Sequence, residues 1–296
     1  MGSAIDTFTL VRGAIVAVGW TSGWKPRLLY GGRAVPAVCR RVERDDLVAA
    51  FGPKAAGWGF ILTGVAPTPD PDPAQVALRF SRREVVTLAD RAARNDDHAL
   101  FRKFVALAHE RGGSIVEIGS RARSGTVYRT AFPPDMTYVG VDVAAGDNVD
   151  VVGDAHHLSR HLTRTFDFAL SISVFEHLLM PWKAAIELGK VLNDGGIAFI
   201  ASHQAWPLHE TPWDFWRFSD NAWRGLFNRH TGFEVLDTEM SAEGFLVPVL
   251  SAPGSLRGID RQRTFLSSAC LVRKVAPATV AWEAEASEIY DLNYSH

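Results

Sequence analysis

The chain has little of what would mark an unusual class of protein. Only Cys39 and Cys270 are cysteines among 296 residues. They lie far apart without Cys-x-x-Cys spacing, which argues against a disulfide framework or a thiolate zinc site. Lysine and arginine number 31, against 33 for aspartate and glutamate, and the net charge of -2 gives no general attraction for nucleic acid or an anionic membrane.

Long hydrophobic runs are also missing. None approaches the roughly 18 residues of a membrane-spanning helix, and residues 1–6 contain no basic stretch ahead of an apolar segment. We therefore expect a cytoplasmic protein without membrane insertion. Hydrophobic residues make up 47% of the chain and charged residues 22%, which is typical of a globular protein, and the length suits one large or two modest domains.

The first 90 residues are rich in β-forming residues. Glycines and prolines separate short runs of them, a spacing that predicts an all-β domain. A proline-acid stretch over residues 66–73 cannot form regular structure, and two further runs then complete the domain. The predicted strands are residues 8–11, 14–20, 27–30, 59–63, 76–80 and 84–88.

A second domain, which we assign to residues 91–275, alternates strands with helices. Asp96 or Asp97 can cap a helix that ends at Gly112, because apolar residues recur there on one face. Those residues are Leu100, Phe104, Leu107 and Ala108. The strand candidates are near-continuous apolar runs, which suit parallel strands covered on both faces. They are residues 114–118, 137–141, 149–152, 168–172 and 197–201.

The second half of the second domain contains signals for the start and the end of a helix. Pro181 suits the first turn of a helix running to about Leu192, and residues 193–196 predict a left-handed cap after it. Strands over residues 232–236 and 265–272 are expected to close the sheet as an antiparallel pair. Residues 276–296 form a C-terminal tail whose aromatic side chains can dock on its own domain or on a neighbour.

The stretch from Ser114 to Asp142 predicts strand, tight turn, helix and second strand. A carboxylate at the tip of that second strand can accept two hydrogen bonds from a ribose diol, and Gly119 lets a ligand approach the backbone. The segment therefore indicates a nucleoside site. A nicotinamide-dependent oxidoreductase is disfavoured, because the turn lacks the Gly-x-Gly-x-x-Gly pattern that seats a pyrophosphate.

Five blocks in order, EIGSRARSG, VGVD, GDAHHL, FDFALSISVFEHL and KVLNDGGIAFI, resemble class I S-adenosylmethionine-dependent methyltransferases over residues 97–275. The resemblance implies an α/β, Rossmann-like seven-stranded domain that binds S-adenosylmethionine. It also implies four groups of cofactor contacts. These are Glu117, Gly119 and Ser120 at the methionine end, Asp142 at the ribose, Asp154 with the Ala155 amide at the adenine, and Ser173 with Val174 as the floor.

The glycine-rich turn departs from the family pattern. Arg121 and Arg123 stand where the family has its second and third glycines. Both arginines, Arg121 more than Arg123, can bind the ligand carboxylate through charge-assisted hydrogen bonds, or they can point to solvent. The same turn is the signature of an alternative function, a catalytically degenerate adaptor or binding protein in glycan synthesis.

Methyl transfer needs an aligned acceptor and often a base that removes its proton. His177 follows the fourth predicted strand and His203 the fifth, at strand ends that form the ligand crevice of open α/β sheets. His209 lies in the aromatic segment that follows. These three histidines are the candidate bases.

The segment over residues 202–219 is unusually aromatic and polar. Asp214 and Arg217 are two further candidate catalytic residues, because charged groups beside aromatic faces suit a polyhydroxylated acceptor, although they can equally form an ion pair that fixes the loop. The pattern resembles methyltransferases associated with bacterial glycan synthesis. This resemblance implies O-methylation of a sugar hydroxyl on a glycan or a glycosylated small molecule.

Two further expectations concern metal and partners. His203, His209, Glu210 and Asp214 offer metal ligands, but without a diagnostic spacing, so we expect no metal. Residues 8–64 resemble a β-sandwich module found with bacterial glycosyltransferases, which implies glycan binding, docking to glycan-synthesis enzymes or a homo-oligomer. Three tryptophans can line a sugar site there or pack in a core. They are Trp20, Trp24 and Trp58.

Overall fold

The computed structural model describes residues 2–11, 13–90, 98–123, 125–244, 246, 259 and 264–290. The chain divides into two compact units. The first is residues 1–96 with 245–263, and the second is residues 97–244 with 264–296. Asp96 and Asp97, the predicted helix caps, lie outside the described residues.

The first unit contains two four-stranded antiparallel sheets. Its strands are β1 (Ser3–Val11), β2 (Ala14–Thr21), β3 (Arg27–Tyr30), β4 (Arg33–Ala34), β5 (Ala37–Val42), β6 (Gly59–Val65), β7 (Val76–Arg79) and β8 (Val85–Thr87). The sheets have the strand orders β1-β2-β6-β5 and β4-β3-β7-β8. One hydrophobic cluster draws on both, with Phe8 and Phe60 from the first sheet and Leu28 and Leu78 from the second.

The expectations for this unit are largely confirmed. All six predicted runs contain strand, and residues 66–72 have no regular structure. The unit is not all-β, however, because α1 (Asp45–Phe51) precedes β6. Of the three tryptophans, Trp20 and Trp58 stack with ring centroids 6.0 Å apart, whereas Trp24 is 87% exposed.

The second unit is built on one mixed seven-stranded sheet, which confirms the predicted architecture. Its strands are β9 (Ser114–Ile118), β10 (Thr137–Asp142), β11 (Val151–Val152), β12 (Phe166–Ile172), β13 (Leu192–His203), β14 (Phe233–Gly244) and β15 (Thr264–Lys274). Their order is β11-β10-β9-β12-β13-β15-β14. The first five strands pair in parallel, and β15 runs antiparallel to both β13 and β14.

The sheet register brings the strand ends that carry polar residues to one edge. Glu117 of β9 lies opposite Gly140 of β10 and Leu170 of β12. Because parallel strands in register end together, the residues just after β9, β10 and β12 meet at the same edge of the sheet.

Helices cover both faces of this sheet. They are α2 (Ala99–Arg111), α3 (Leu158–His161), α4 (Pro181–Val191), α5 (Asp220–Leu226) and α6 (Ala286–Ile289). Phe104 of α2 packs on one face with Phe168 and Phe199, and Leu188 of α4 packs on the other with Val116. None of the described helices is long and apolar enough to cross a membrane, since the longest, α2, has 13 residues.

Two local predictions for the second unit are wrong. The described residues between β9 and β10 form no α-helix, only a 3₁₀ turn at Tyr128–Ala131, because Gly125 has a left-handed φ of 78° that interrupts a right-handed helix. The left-handed cap predicted over residues 193–196 does not end the helix, although Gly195 has a positive φ of 75°. Leu192 is extended and pairs with Phe166 directly after α4, and residues 193–196 bulge from β13.

The described part of the C-terminal tail, residues 276–290, packs on its own unit. The Trp282 ring lies 5.4 Å from that of Trp182, and Glu285 contacts both His157 and Arg160. Tyr290 lies edge-on to Trp213, with ring centroids 6.1 Å apart. The tail therefore supports the loop that follows β13.

Candidate functional site

A cavity of about 620 Å³ opens at the carboxyl edge of the seven-stranded sheet. This volume lies within the range of ordinary small-molecule sites. All nine residues predicted to bind cofactor line it, and so do all three candidate histidines. They are Glu117, Gly119, Ser120, Arg121, Asp142, Asp154, Ala155, Ser173, Val174, His177, His203 and His209.

The floor of the cavity depends on the absence of a side chain at Gly119. Its φ is +79°, and a Cβ there would lie 2.1 Å from Cγ2 of Val174. Ser173, the residue before Val174, also has a positive φ of 55°. Together these turns let the backbone after β9 and β12 come close to any ligand in the cavity.

The Asp142 carboxylate is fixed by the backbone around it. The N–H of Arg121 donates to Oδ2 over 3.2 Å, and the N–H of Ala144 donates to Oδ1 over 3.0 Å. Nε of Arg121 lies 3.7 Å from Oδ1, and its side chain is 16% exposed. Arg121 is therefore held against Asp142 at the cavity wall rather than extended into solvent.

Glu117 is buried at the other side of the same wall. Its Oε2 accepts hydrogen bonds from the Tyr138 hydroxyl at 2.7 Å and from Nδ2 of Asn148 at 2.9 Å. Burial raises the pKa of Glu117, and these two hydrogen bonds oppose that rise. A cationic group in the cavity would favour its ionised form.

Asp154 is held by a histidine that the sequence reasoning missed. Nδ1 of His156 lies 2.7 Å from Oδ1 of Asp154, and the Met180 N–H donates to Nε2 of His156. Because Nε2 accepts, Nδ1 carries the proton and donates to Asp154. Burial favours the neutral acid, but these bonds hold the pKa of Asp154 below its usual value.

Arg123 bridges two loops at the cavity. Its guanidinium donates to both Glu210 oxygens, at 2.6 and 3.0 Å. Arg123 follows β9 and Glu210 lies in the loop after β13, and both line the cavity. The hydrogen bonds from Arg123 lower the pKa of Glu210. A bidentate ion pair thus joins the arginine-bearing turn to the aromatic segment.

His177 has a fixed tautomer. Its Nδ1 lies 2.6 Å from the Trp213 carbonyl oxygen, which can only accept, so Nδ1 carries the proton and Nε2 keeps its lone pair. Nε2 lies 4.0 Å from Oε1 of Glu176. The ring therefore presents a hydrogen-bond acceptor beside a carboxylate.

Glu176 is a second residue that sequence reasoning missed, and its side chain is fully buried. The Ser202 hydroxyl donates to Oε2 over 2.6 Å, and Nδ1 of His203 lies 2.8 Å from Oε1. Burial favours the neutral acid, but His203 and Ser202 hold the pKa of Glu176 below its usual value. The only sequence signal was its place beside His177 after a strand.

His209 lies between the other two histidines. Its ring centroid is 4.8 Å from that of His177 and 5.0 Å from that of His203. Nδ1 of His209 lies 3.2 Å from the Pro207 carbonyl oxygen, so this nitrogen donates and Nε2 keeps its lone pair. Three imidazoles and one carboxylate thus form a compact polar cluster.

Asp214 and Arg217, the other two candidate catalytic residues, do not line the cavity. Arg217 pairs with both oxygens of the buried Asp214 carboxylate and donates to the carbonyls of Trp206 and Pro207. Hydrogen bonding to Arg217 lowers the pKa of Asp214. The pair fixes the loop, as the alternative interpretation expected. Trp213 is the aromatic residue of this segment that lines the cavity.

Residues 91–239, half of the chain, match the methyltransferase-domain family. No curated protein matches the chain. Among solved structures, it is similar to an S-adenosylmethionine-dependent methyltransferase from Archaeoglobus fulgidus, at 15% identity over 63% of this chain and 98% of that one, with a TM-score of 0.43. It is also similar to a putative methyltransferase from Bacillus halodurans, at 15% identity over 59% of this chain and 98% of that one, with a TM-score of 0.42. A third similar structure is the putative methyltransferase in complex with the Haloferax volcanii Trm112 activator, at 18% identity over 63% of this chain and 94% of that one, with a TM-score of 0.40.

The residues of the cavity fit S-adenosylmethionine. Asp142 keeps lone pairs for a ribose diol, and Glu117 offers a carboxylate to an ammonium group. Ser120 Oγ is buried and has no hydrogen-bond partner among the described residues, so a polar ligand atom would satisfy it. With the sequence match over residues 91–239, the chain belongs to the methyltransferase-domain family.

Proposed function

We propose that this protein transfers the methyl group of S-adenosylmethionine to a hydroxyl of a sugar, on a glycan or a glycosylated small molecule. One observation carries the proposal: a single cavity is lined both by Asp142 and by His177, His203 and His209. A nucleoside site and a cluster of proton acceptors thus share one space. This is the arrangement that methyl transfer to a hydroxyl requires.

The cofactor end would use residues that are already oriented. Asp142 would bind the ribose hydroxyls, while Asp154 and the Ala155 N–H would bind the adenine edge. Glu117 and Ser120 would contact the amino-acid end of the cofactor, and Arg121 would attract its carboxylate. S-adenosylmethionine supplies a methyl group on a sulfonium sulfur, so these residues need only bind and orient it.

At the other end, we assign the proton acceptor to His177. Its Nε2 keeps a lone pair because Nδ1 donates to the Trp213 carbonyl. The Glu176 carboxylate, 4.0 Å from Nε2, would stabilise the imidazolium that forms when the acceptor hydroxyl loses its proton. His203 and His209 are assigned a different role below.

The acceptor class is inferred from the loop after β13. Trp213 lines the cavity together with the Arg123–Glu210 ion pair. Aromatic faces next to paired charges suit a ring that carries several hydroxyls. In the same proposal the first unit is a sandwich-like glycan-binding or docking module, and the protein acts in the cytoplasm.

A methyl-transfer assay with labelled S-adenosylmethionine tests this proposal. The acceptors should be matched sets of sugar glycosides, phenols and amines, with products identified by mass spectrometry. We expect label on sugar hydroxyls. Label on amines or phenols alone would overturn the acceptor class. The degenerate adaptor predicts no binding of S-adenosylhomocysteine even at about millimolar concentration, so a binding heat in calorimetry removes that alternative.

A further inference from the structure

We propose that Glu176, His203 and His209 form a binding site for one divalent transition-metal ion at the acceptor end of the cavity. One ligand atom from each residue lies within 4.8 Å of the other two. His203 and His209 line the cavity. The inference deepens the proposed function and rests on it only for the purpose of the ion, not for its binding.

Two buried polar atoms of this cluster lack hydrogen-bond partners within the described part of the chain. Oε1 of Glu176 and Nδ1 of His203 lie 2.8 Å apart, yet neither has a hydrogen-bond partner of acceptable geometry among the described residues. Such atoms are costly to bury. A cation between them would satisfy both. Ligands at right angles on an ion with bonds near 2.1 Å are separated by about 3 Å, close to the observed spacing.

The negative charge of Glu176 also favours a bound cation. Glu176 is a fully buried carboxylate whose ion-pair partners within 4.0 Å, among the residues that the structure describes, are His203 and His177. Neither is a permanent cation, whereas Asp214 has Arg217 and Glu210 has Arg123. A buried carboxylate without a lysine or arginine is usually neutralised or binds a metal.

Each of the three ligand residues is oriented by a neighbouring group. The Ser202 hydroxyl holds the second oxygen of Glu176, and the ring of His203 stacks on Trp206 with centroids 4.6 Å apart and planes 7° from parallel. Nδ1 of His209 donates to the Pro207 carbonyl, which leaves Nε2 as the ligand atom. Metal-binding residues are commonly oriented in this way by outer partners.

The ligand set also indicates the class of ion and its purpose. Two imidazoles with one carboxylate suit zinc, iron, cobalt, nickel or manganese and leave coordination positions open. Because His203 and His209 line the cavity, an open position on the ion can take an oxygen of the acceptor and lower the pKa of its hydroxyl. The expectation of no metal came from sequence spacing. The geometry points to the opposite conclusion.

Cobalt binding to the full-length protein tests the site directly. Tag-free protein is dialysed against a chelator and titrated with Co²⁺, followed by visible absorption and calorimetry. We expect a single bound Co²⁺ ion, and an affinity reduced by about a hundredfold or more in His203→Gln, His209→Gln and Glu176→Gln. His109→Gln, at a helix end outside the cavity, is the matched control and should bind as the native protein does.

Absence of Co²⁺ binding to the native protein, or equal binding by His209→Gln and the native protein, would overturn the site. Glu176→Gln keeps the volume of the buried side chain, and the half-exposed His209 provides a variant that does not disturb the core. S-adenosylhomocysteine calorimetry on the same samples separates the two proposals. Cofactor binding without Co²⁺ binding rejects the metal site alone, and Co²⁺ binding without cofactor binding rejects the methyltransferase function alone.

Discussion

The two ends of the cavity are built by different means. At the cofactor end, Gly119, Asp142 and Ser173 each lie at or just after a strand end, and backbone N–H groups hold the Asp142 carboxylate. At the acceptor end, two ion pairs between side chains, Arg123–Glu210 and Arg217–Asp214, add to the backbone hydrogen bonds that hold the loop over residues 204–218.

This difference shows how far a sequence can position a site. Strand ends are fixed relative to one another by sheet register, so the order of motifs predicts which residues meet. A loop whose position also needs ion pairs between side chains depends on partners far away in sequence, such as Arg123 and Glu210, which are 87 residues apart. The cofactor end is therefore predictable from local patterns, and the acceptor end is not.

The largest expected effect is a loss of methyl transfer without a loss of cofactor binding. In His177→Gln we expect the rate to fall by about 10²–10⁴-fold, because the variant lacks the base. S-adenosylhomocysteine affinity should change little, since the cofactor contacts are at the other end. Single-turnover kinetics and calorimetry measure the two quantities. A full native rate in this variant would reject His177 as the proton acceptor.

A smaller effect is expected from a substitution at Gly119, on the floor of the cavity. Gly119→Ala should destabilise the protein by about 1–3 kcal/mol, through an unfavourable φ and displacement of Val174, and should weaken cofactor binding. Gly125 is the matched control, because its φ is also positive, at 78°, but no atom lies within 4 Å of its Cβ position. Chemical denaturation of Gly119→Ala and Gly125→Ala should give a larger loss for the first. Equal losses would mean that the contact with Val174 contributes nothing.

The smallest effect should come from the exposed ion pair. Arg123 and Glu210 side chains are 53% and 39% exposed, so Arg123→Gln should change the free energy of unfolding by less than about 1 kcal/mol. High salt should reduce the difference from the native protein further. Denaturation at two ionic strengths measures this. A loss as large as that of Gly119→Ala would show that the bridge organises both ends of the cavity.

Much of the fold follows from the sequence for a definite reason. Buried parallel strands need apolar residues on both faces, so β9 and β12 appear as short apolar runs. The missing helix after β9 shows the limit of this reasoning. A strand followed by a glycine turn usually leads to a helix, but here Gly125 has a left-handed φ and the described residues form only the turn at Tyr128–Ala131.

The residues of the site also differ in how well the sequence predicts them. The cofactor residues were predicted from motifs, and all of them line the cavity. Glu176 was not predicted, because a glutamate after a strand is most often solvated, and only the packed structure buries it beside His203. Asp214 and Arg217 were candidates from composition alone, and only the structure shows their side chains paired with each other.

The cofactor affinity of Asp142→Ala tests the central claim most directly. Asp142 can accept hydrogen bonds from both ribose hydroxyls, so its removal should weaken S-adenosylhomocysteine binding by more than about tenfold. Asp147→Ala, in the exposed turn after β10 and outside the cavity, should bind as the native protein does. If calorimetry gives the same affinity for Asp142→Ala and the native protein, the cofactor end has been assigned to the wrong residues.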